Sequence, residues 1–214
     1  MVLYLIRHGE TDFNAGNLVQ GWTESELNAT GRWQAEMLAK RLTQPDERPT
    51  AIYCSPQSRA AETARPTAEA LGLQPVYDDA LMEMRCGDWE GLNFDQIKHE
   101  RRDEFHAWAR SADSCIPGGG ESIRDLHRRA SKSADRIISS HPDGSRIAIF
   151  THGGVNRVLM AHFLGIDLQV SRRCHQDNAS ISLFVRRLDM FFMDRWNDIS
   201  HLVSGTDGRP LSQK

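Results

Sequence analysis

Cysteine is scarce in this sequence. Its four residues, Cys54, Cys86, Cys115 and Cys174, are widely spread and form no Cys-x-x-Cys pair. A small secreted domain held by disulfides is thereby excluded, and reduced structural thiols are expected. Long apolar runs are missing too: no stretch approaches a membrane span, and residues 2–6 are too short for a signal segment and follow no basic region. A cytoplasmic protein without a membrane partner is expected, in which the sequons at Asn28 and Asn178 are chance matches. Nor does one sign of charge dominate. Lys and Arg number 26 against 29 Asp and Glu, a formal net charge of −3, so no basic field exists to gather nucleic acid. The nine histidines include no His-x-x-x-His or His-Glu-x-x-His, which argues against a metal site. Low-complexity tracts, internal repeats and linkers are absent as well. With 39% hydrophobic and 26% charged residues, the 214-residue chain is expected to form one globular domain, with disorder confined to about its last ten residues.

What is present is a set of short apolar runs. Val2-Leu3-Tyr4-Leu5-Ile6, Thr50-Ala51-Ile52-Tyr53-Cys54 and Arg146-Ile147-Ala148-Ile149-Phe150 suit strands buried on both faces, and a helical pattern follows the second and third closely. These predict an α/β fold with the three runs at the centre of a mostly parallel sheet. Helices are predicted over 31–42, capped by Thr30 and buried through Trp33, Met37, Leu38 and Leu42. Further helices are predicted over 57–71, kinked or broken late by Pro66 and closed by Gly72, over 121–140, and over 154–164, closed by Gly165. Residues 180–187 and 190–196 alternate around Leu188-Asp189 and predict an antiparallel hairpin at the sheet edge. The segment 92–120, rich in charge and ending in glycines, looks like an insertion and a lid.

In open α/β sheets ligands bind beyond the carboxyl ends of the central strands. The residues standing there are Arg7-His8-Gly9-Glu10-Thr11 after the first run, Ser55, Pro56 and Arg59 after the second, and Thr151-His152-Gly153-Gly154 after the third. Two guanidinium groups offer rigid forks of N–H donors to a phosphoryl group and stay charged at working pH. A neutral imidazole beside them can attack phosphorus if its other ring nitrogen is held by a hydrogen bond. The leaving alkoxide needs a proton, which a carboxylic acid supplies. Glu83 is the candidate acid, and spacing alone does not separate it from Glu10, Asp12 or Glu90. Gly118-Gly119-Gly120 lacks the lysine of a P-loop and is expected to be a turn feeding a helix, with Glu121 or Ser122 near the substrate at most. Trp89, Phe105 and Trp108 suit a substrate wall or core packing equally well.

Arg7-His8-Gly9-Glu10-Thr11 with Asn14, Gln20-Gly21-Trp22 and Thr30-Gly31 resembles the N-terminal signature of the histidine phosphatase superfamily, in the branch that contains phosphoglycerate mutases. Further matches follow in order: Cys54-Ser55-Pro56, Arg59-Ala60, Thr63-Ala64, Glu83 with Gly87-Asp88-Trp89-Glu90-Gly91, Pro117 to Ser122, Thr151-His152-Gly153-Gly154 and Asn178-Ala179-Ser180-Ile181. The resemblance implies a three-layer α/β/α sandwich and no cofactor or metal. It implies His8 as the phosphorylated nucleophile, Glu83 as proton donor and acceptor, and Arg7, Arg59 and His152 as phosphate ligands. Asn14, Gln20 and Gly21 would line the substrate side, and Gly153 would contribute backbone. Thr23-Glu24-Ser25-Glu26-Leu27 departs from the pattern, where an Asp and then a Pro often precede the Leu. The insertion after Glu83 is shorter than in bisphosphoglycerate-dependent mutases, which favours a phosphatase acting on a small phosphorylated metabolite. A phosphoglycerate mutase and a non-catalytic phospho-ligand sensor are the competing readings, and a homodimer stays open because no apolar stripe can be told from core by sequence.

Overall fold

The computed structural model describes residues 1–203. The disorder expected of the last ten or so residues falls outside them. The strands are β1 (Val2–Arg7), β2 (Ala51–Cys54), β3 (Val76–Tyr77), β4 (Arg146–Thr151), β5 (Ile181–Arg187) and β6 (Met190–Asp198). The helices are α1 (Asp12–Ala15), α2 (Ala29–Leu42), α3 (Ser58–Leu71), α4 (Phe94–Glu100), α5 (Arg102–Arg110), α6 (Ile123–Ser139), α7 (Gly153–Leu164) and α8 (Leu168–Ser171). No helix among the described residues is long and apolar enough to cross a membrane.

The six strands form one sheet in the order β3-β2-β4-β1-β5-β6. β1, β2 and β4 are central and parallel, as their apolar runs predict, and the β5–β6 hairpin adds an antiparallel edge. The period of two divides the buried strand residues between two layers. Leu3, Leu5, Ile147 and Ile149 pack with α6 and α7, whereas Tyr4, Ile6, Ile52, Ala148 and Phe150 pack with α2 and α3. The result is a three-layer α/β/α sandwich. Each fully buried Leu or Ile in it contributes roughly 1.5–3 kcal/mol. The amphipathic stripe of α6 through Ile123, Leu126, Ala130, Ala134 and Ile137 closes one layer.

Several local features differ from expectation. Asn28, not Thr30, caps α2, because its side chain accepts the Gly31 N–H at 2.9 Å. The buried stripe of α2 runs through Gln34, Ala35, Leu38 and Leu42, leaving Trp33 and Met37 half-buried at its margin. Pro66 does not break α3, which continues to Leu71 because buried Thr63, Ala64, Thr67 and Ala68 anchor it on both sides of the proline. Gly72 and Gly165 end α3 and α7 in the left-handed region, at φ 65° and 62°. The hairpin turns on Leu188 and Asp189, both at positive φ (50° and 61°), as a two-residue turn matching strand twist requires.

The segment 92–120 carries α4 and α5. Their aromatic residues stack on the core: Phe105 meets Trp89 and Phe94 at ring-centroid distances of 6.4 and 5.8 Å, and Trp108 meets Trp89 edge-on at 5.4 Å.

Candidate active site

Strand register assembles the site. Arg7 pairs with Thr151 and Cys54 with Phe150 in parallel ladders, so the residues after β1, β2 and β4 emerge side by side. The His8 N–H donates to the Thr151 carbonyl at 2.9 Å, and the Ser55 N–H to the Phe150 carbonyl at 3.0 Å. The loop after β1 is braced from beyond. The Asn178 amide donates to the carbonyls of His8 and Gly9 at 3.1 and 3.3 Å, and the Gly9 N–H donates to Thr63 Oγ1 at 2.9 Å. Gly9 runs against Gly31 of α2 so closely that a Cβ on Gly9 would lie 2.7 Å from the Gly31 carbonyl oxygen. Only glycine permits that approach.

His8 is 3% exposed, and its Nδ1 lies 2.7 Å from the Gly9 carbonyl oxygen. Since a carbonyl only accepts, Nδ1 carries the proton and the lone pair sits on Nε2. Burial, then the nearby Arg59 and Arg7 charges, hold the imidazole well below its usual protonation range. The ring is therefore neutral at physiological pH, the state a nucleophile needs. His152 is fully buried, its Nε2 shares a hydrogen bond of 2.9 Å with Ser55 Oγ, and its ring centroid lies 5.2 Å from that of His8. It packs against His8 and does not line the cavity. Burial and the Arg59 charge likewise keep it neutral.

The guanidinium groups are held by carbonyls alone. Arg59, fully buried, donates to the carbonyls of Gly21 at 2.8 Å and Thr23 at 3.1 Å. Arg7 donates to the Gln176 carbonyl. Neither forms an ion pair among the described residues, and the Nε of each is buried without a partner, as is Nδ1 of His152. Burial, with Arg157 next, pushes Arg7 down to about 10, which leaves it cationic near neutral pH. A buried charge without an opposite charge is costly, and an anionic ligand removes that cost.

Arg7, His8, Arg59 and Glu83 line one cavity of about 880 Å³ together with Asn14, Gln20, Gly21 and Gly153. Asn14 and Gln20 have their carbonyl oxygens engaged, by Asn178 at 3.0 Å and by Thr11 and Ser25 at 3.0 and 2.6 Å, which leaves their amide N–H groups for the cavity. Geometry separates the candidate acids. Glu90 lies outside the cavity lining, its oxygens accepting from Trp22 N, Cys86 N and Thr23 Oγ1, and Asp12 is exposed outside the cavity as well. Glu10 lines the cavity but accepts from Asn28 Nδ2 at 2.9 Å. Glu83 accepts from the backbone N–H groups of Met84 and Gly154 at 2.9 and 3.1 Å. Glu121 is paired with Arg129 at 2.8 Å and Ser122 caps α6, and neither lines the cavity.

The departure at residues 23–27 has a structural account: Glu24 accepts the Ser58 N–H at 3.1 Å, capping α3 where Gln57 makes no side-chain cap, while Ser25 holds Gln20. Trp89 and Trp108 line the cavity, but Phe105 does not. Sequence reasoning passed over Arg157, which also lines the cavity. Its one signal is position, one helical turn beyond Gly153.

The family model of the histidine phosphatase superfamily (branch 1) matches residues 3–199, and the chain belongs to that superfamily. A metal-independent phosphoserine phosphatase of Arabidopsis thaliana is 36% identical over 204 residues, covering 94% of this chain and 83% of the relative. A phosphoglycerate mutase-like protein of the same plant is also 36% identical, over 94% of this chain and 86% of its own length. Among solved structures, a mycobacterial glucosyl-3-phosphoglycerate phosphatase complexed with VO3 superposes with a TM-score of 0.83 at 31% identity, covering 92% of this chain and 98% of the other. YhfR of Bacillus stearothermophilus gives 0.83 at 33% identity, over 94% and 98% of the two chains.

Proposed function

We propose that this chain hydrolyses the phosphomonoester of a small metabolite, without a metal, through a phosphohistidine on His8. The observation that carries this reading is the neutral, buried His8, its Nδ1 bound to the Gly9 carbonyl at 2.7 Å in a cavity shared with two guanidinium groups that have no ion-pair partner among the described residues. Arg7 and Arg59 grip the phosphoryl oxygens and stabilise the charge spread over them in the transition state, while His152, outside the cavity lining, backs the His8 ring. His8 Nε2 attacks phosphorus as the ester bond breaks. Glu83 protonates the departing alkoxide, then takes a proton from the water that cleaves the phosphohistidine. Asn14, Gln20 and Gly21 position the rest of the substrate, with Gly153 contributing backbone. α4 and α5 act as the lid, their Phe94 and Trp108 walling the cavity.

Phosphorus NMR tests the reading, using purified protein, excess chelator and a panel of phosphomonoesters that includes 3-phosphoglycerate with trace 2,3-bisphosphoglycerate. Accumulating inorganic phosphate is the expected result. Formation of 2-phosphoglycerate with little free phosphate would make the protein a mutase, and an unchanged spectrum for every ester would leave only a phospho-ligand sensor.

A further inference from the structure

The cavity is far more cationic than the chain that builds it. Its lining includes five arginines, Arg7, Arg59, Arg157, Arg172 and Arg173, against the carboxylates Glu10, Glu83 and Asp177, whereas the whole chain carries a net charge of −3. Arg7 and Arg59 account for a phosphoryl group. Arg172 is already committed, since it donates to the carbonyls of Trp108 and Ala109 at 2.7 and 3.0 Å and stacks over the Trp108 ring at 3.9 Å. Arg173 is exposed at the rim.

Arg157 differs from all of these. Its Nε donates to the Cys174 carbonyl at 3.0 Å, which fixes the plane of the guanidinium, while its two Nη groups have no hydrogen bond or ion pair among the described residues. A Cβ on Gly153 would stand 3.6 Å from Arg7 Nε and 3.7 Å from Arg157 Nη2, so the two guanidinium groups flank one backbone position. The next residue, Gly154, donates its N–H to Glu83 at 3.1 Å, so the free fork and the candidate acid meet at adjacent backbone positions. When Glu83 is protonated to serve as an acid, three guanidinium charges face a phosphate dianion, and one positive charge is left over. A single carboxylate balances it, and the planar fork matches a carboxylate in two parallel hydrogen bonds.

We infer that Arg157 is a specificity-determining residue that binds a carboxylate carried by the substrate near its phosphoester. The inference rests on the phosphatase reading and narrows its substrate class to carboxylated phosphomonoesters.

Phosphoserine and phosphoethanolamine differ only by that carboxylate, so the ratio of their kcat/KM values tests the inference within a single protein sample. The wild-type ratio is expected to favour phosphoserine by at least about 10-fold, and Arg157→Gln to bring it near unity. Arg157→Lys, which keeps a point charge but not the fork, should retain part of the preference even if the glutamine variant folds poorly. Equal kcat/KM values for the two esters in the wild type, or a ratio unchanged in Arg157→Gln, would overturn the inference while leaving the phosphatase reading intact. Wild-type protein that releases phosphate from no ester, p-nitrophenyl phosphate included, would refute the phosphatase reading and the inference with it.

Discussion

Two groups of sheltered charges in this molecule are built on opposite terms. Arg41 and Arg195 share Glu47 and Asp198 in a network of ion pairs, with Arg41 at 2.7 Å from Asp198 and 3.2 Å from Glu47, and Arg195 at 3.3 and 3.0 Å from the same acids. Burial alone would raise the pKa values of both acids, yet hydrogen bonds from the arginines hold them below the usual carboxylate range. Arg7, Arg59 and Arg157 are at least as sheltered and form no ion pair among the described residues. A charge set that is internally neutralised ties α2, the loop after it and β6 together. One left cationic at a cavity waits for an anion. The first serves the fold and the second the ligand, so their removal should have opposite signatures.

The largest effect expected is on turnover. His8→Ala should lower phosphate release by at least about 1,000-fold, because nothing else in the cavity presents a buried, oriented, neutral nitrogen. A steady-state assay on any good ester checks this.

Next comes Arg59→Met, which should reduce kcat/KM by about 100-fold or more through lost transition-state stabilisation. Its thermal stability without ligand should stay level or rise, since an unpaired buried charge is replaced by an apolar chain of similar length. Arg41→Met should do the reverse. It strands Glu47 and Asp198, with a loss of about 2–3 kcal/mol in denaturant unfolding, while kcat per folded molecule is unchanged. If both variants lose stability and keep activity alike, the contrast between the two clusters fails.

The smallest effect is in pH dependence, and the two regions separate there too. His8, His152 and His201 have pKa values below the usual 6.5 in the folded state, His201 at about 4. Their contribution is full above pH 6.5 and is lost as pH falls, because the unfolded chain takes up protons that the buried rings refuse. His8→Ala should make the limb between pH 6.5 and 5 shallower by about 1 kcal/mol per pH unit. Glu47 and Asp198, depressed as acids, contribute above about pH 4 and lose that contribution below it, so Arg41→Met should flatten the lower limb instead. Urea unfolding across pH 3 to 8 resolves the two.

How much of this was legible in the sequence follows from how each feature is encoded. β1, β2 and β4 are continuous apolar runs, and such runs announce strands buried on both faces, so the centre of the sheet and the residues at its carboxyl ends were readable. β3 is two exposed residues, Val76 and Tyr77, with no period to detect. The cap of α2 was misplaced because Asn28 and Thr30 are both capping residue types, and only the bond to the Gly31 N–H chooses between them. Glu83 could not be separated from Glu90 by spacing, since both accept backbone N–H groups and the distinction is that the fold brings only Glu83 of the two into the cavity wall. Arg157 had only its position one turn beyond Gly153 as a signal, and an arginine inside a helical pattern reads as a solvated side chain until the cavity beneath α7 is known.

The most direct test of the account is to quench the protein with chelator and a good phosphoester during turnover and locate the phosphoryl group by mass spectrometry at neutral to alkaline pH. The account predicts an acid-labile phosphoryl group on His8 that disappears in His8→Ala together with phosphate release. Undiminished phosphate release by His8→Ala, with His8 unmodified in the wild type, would contradict it.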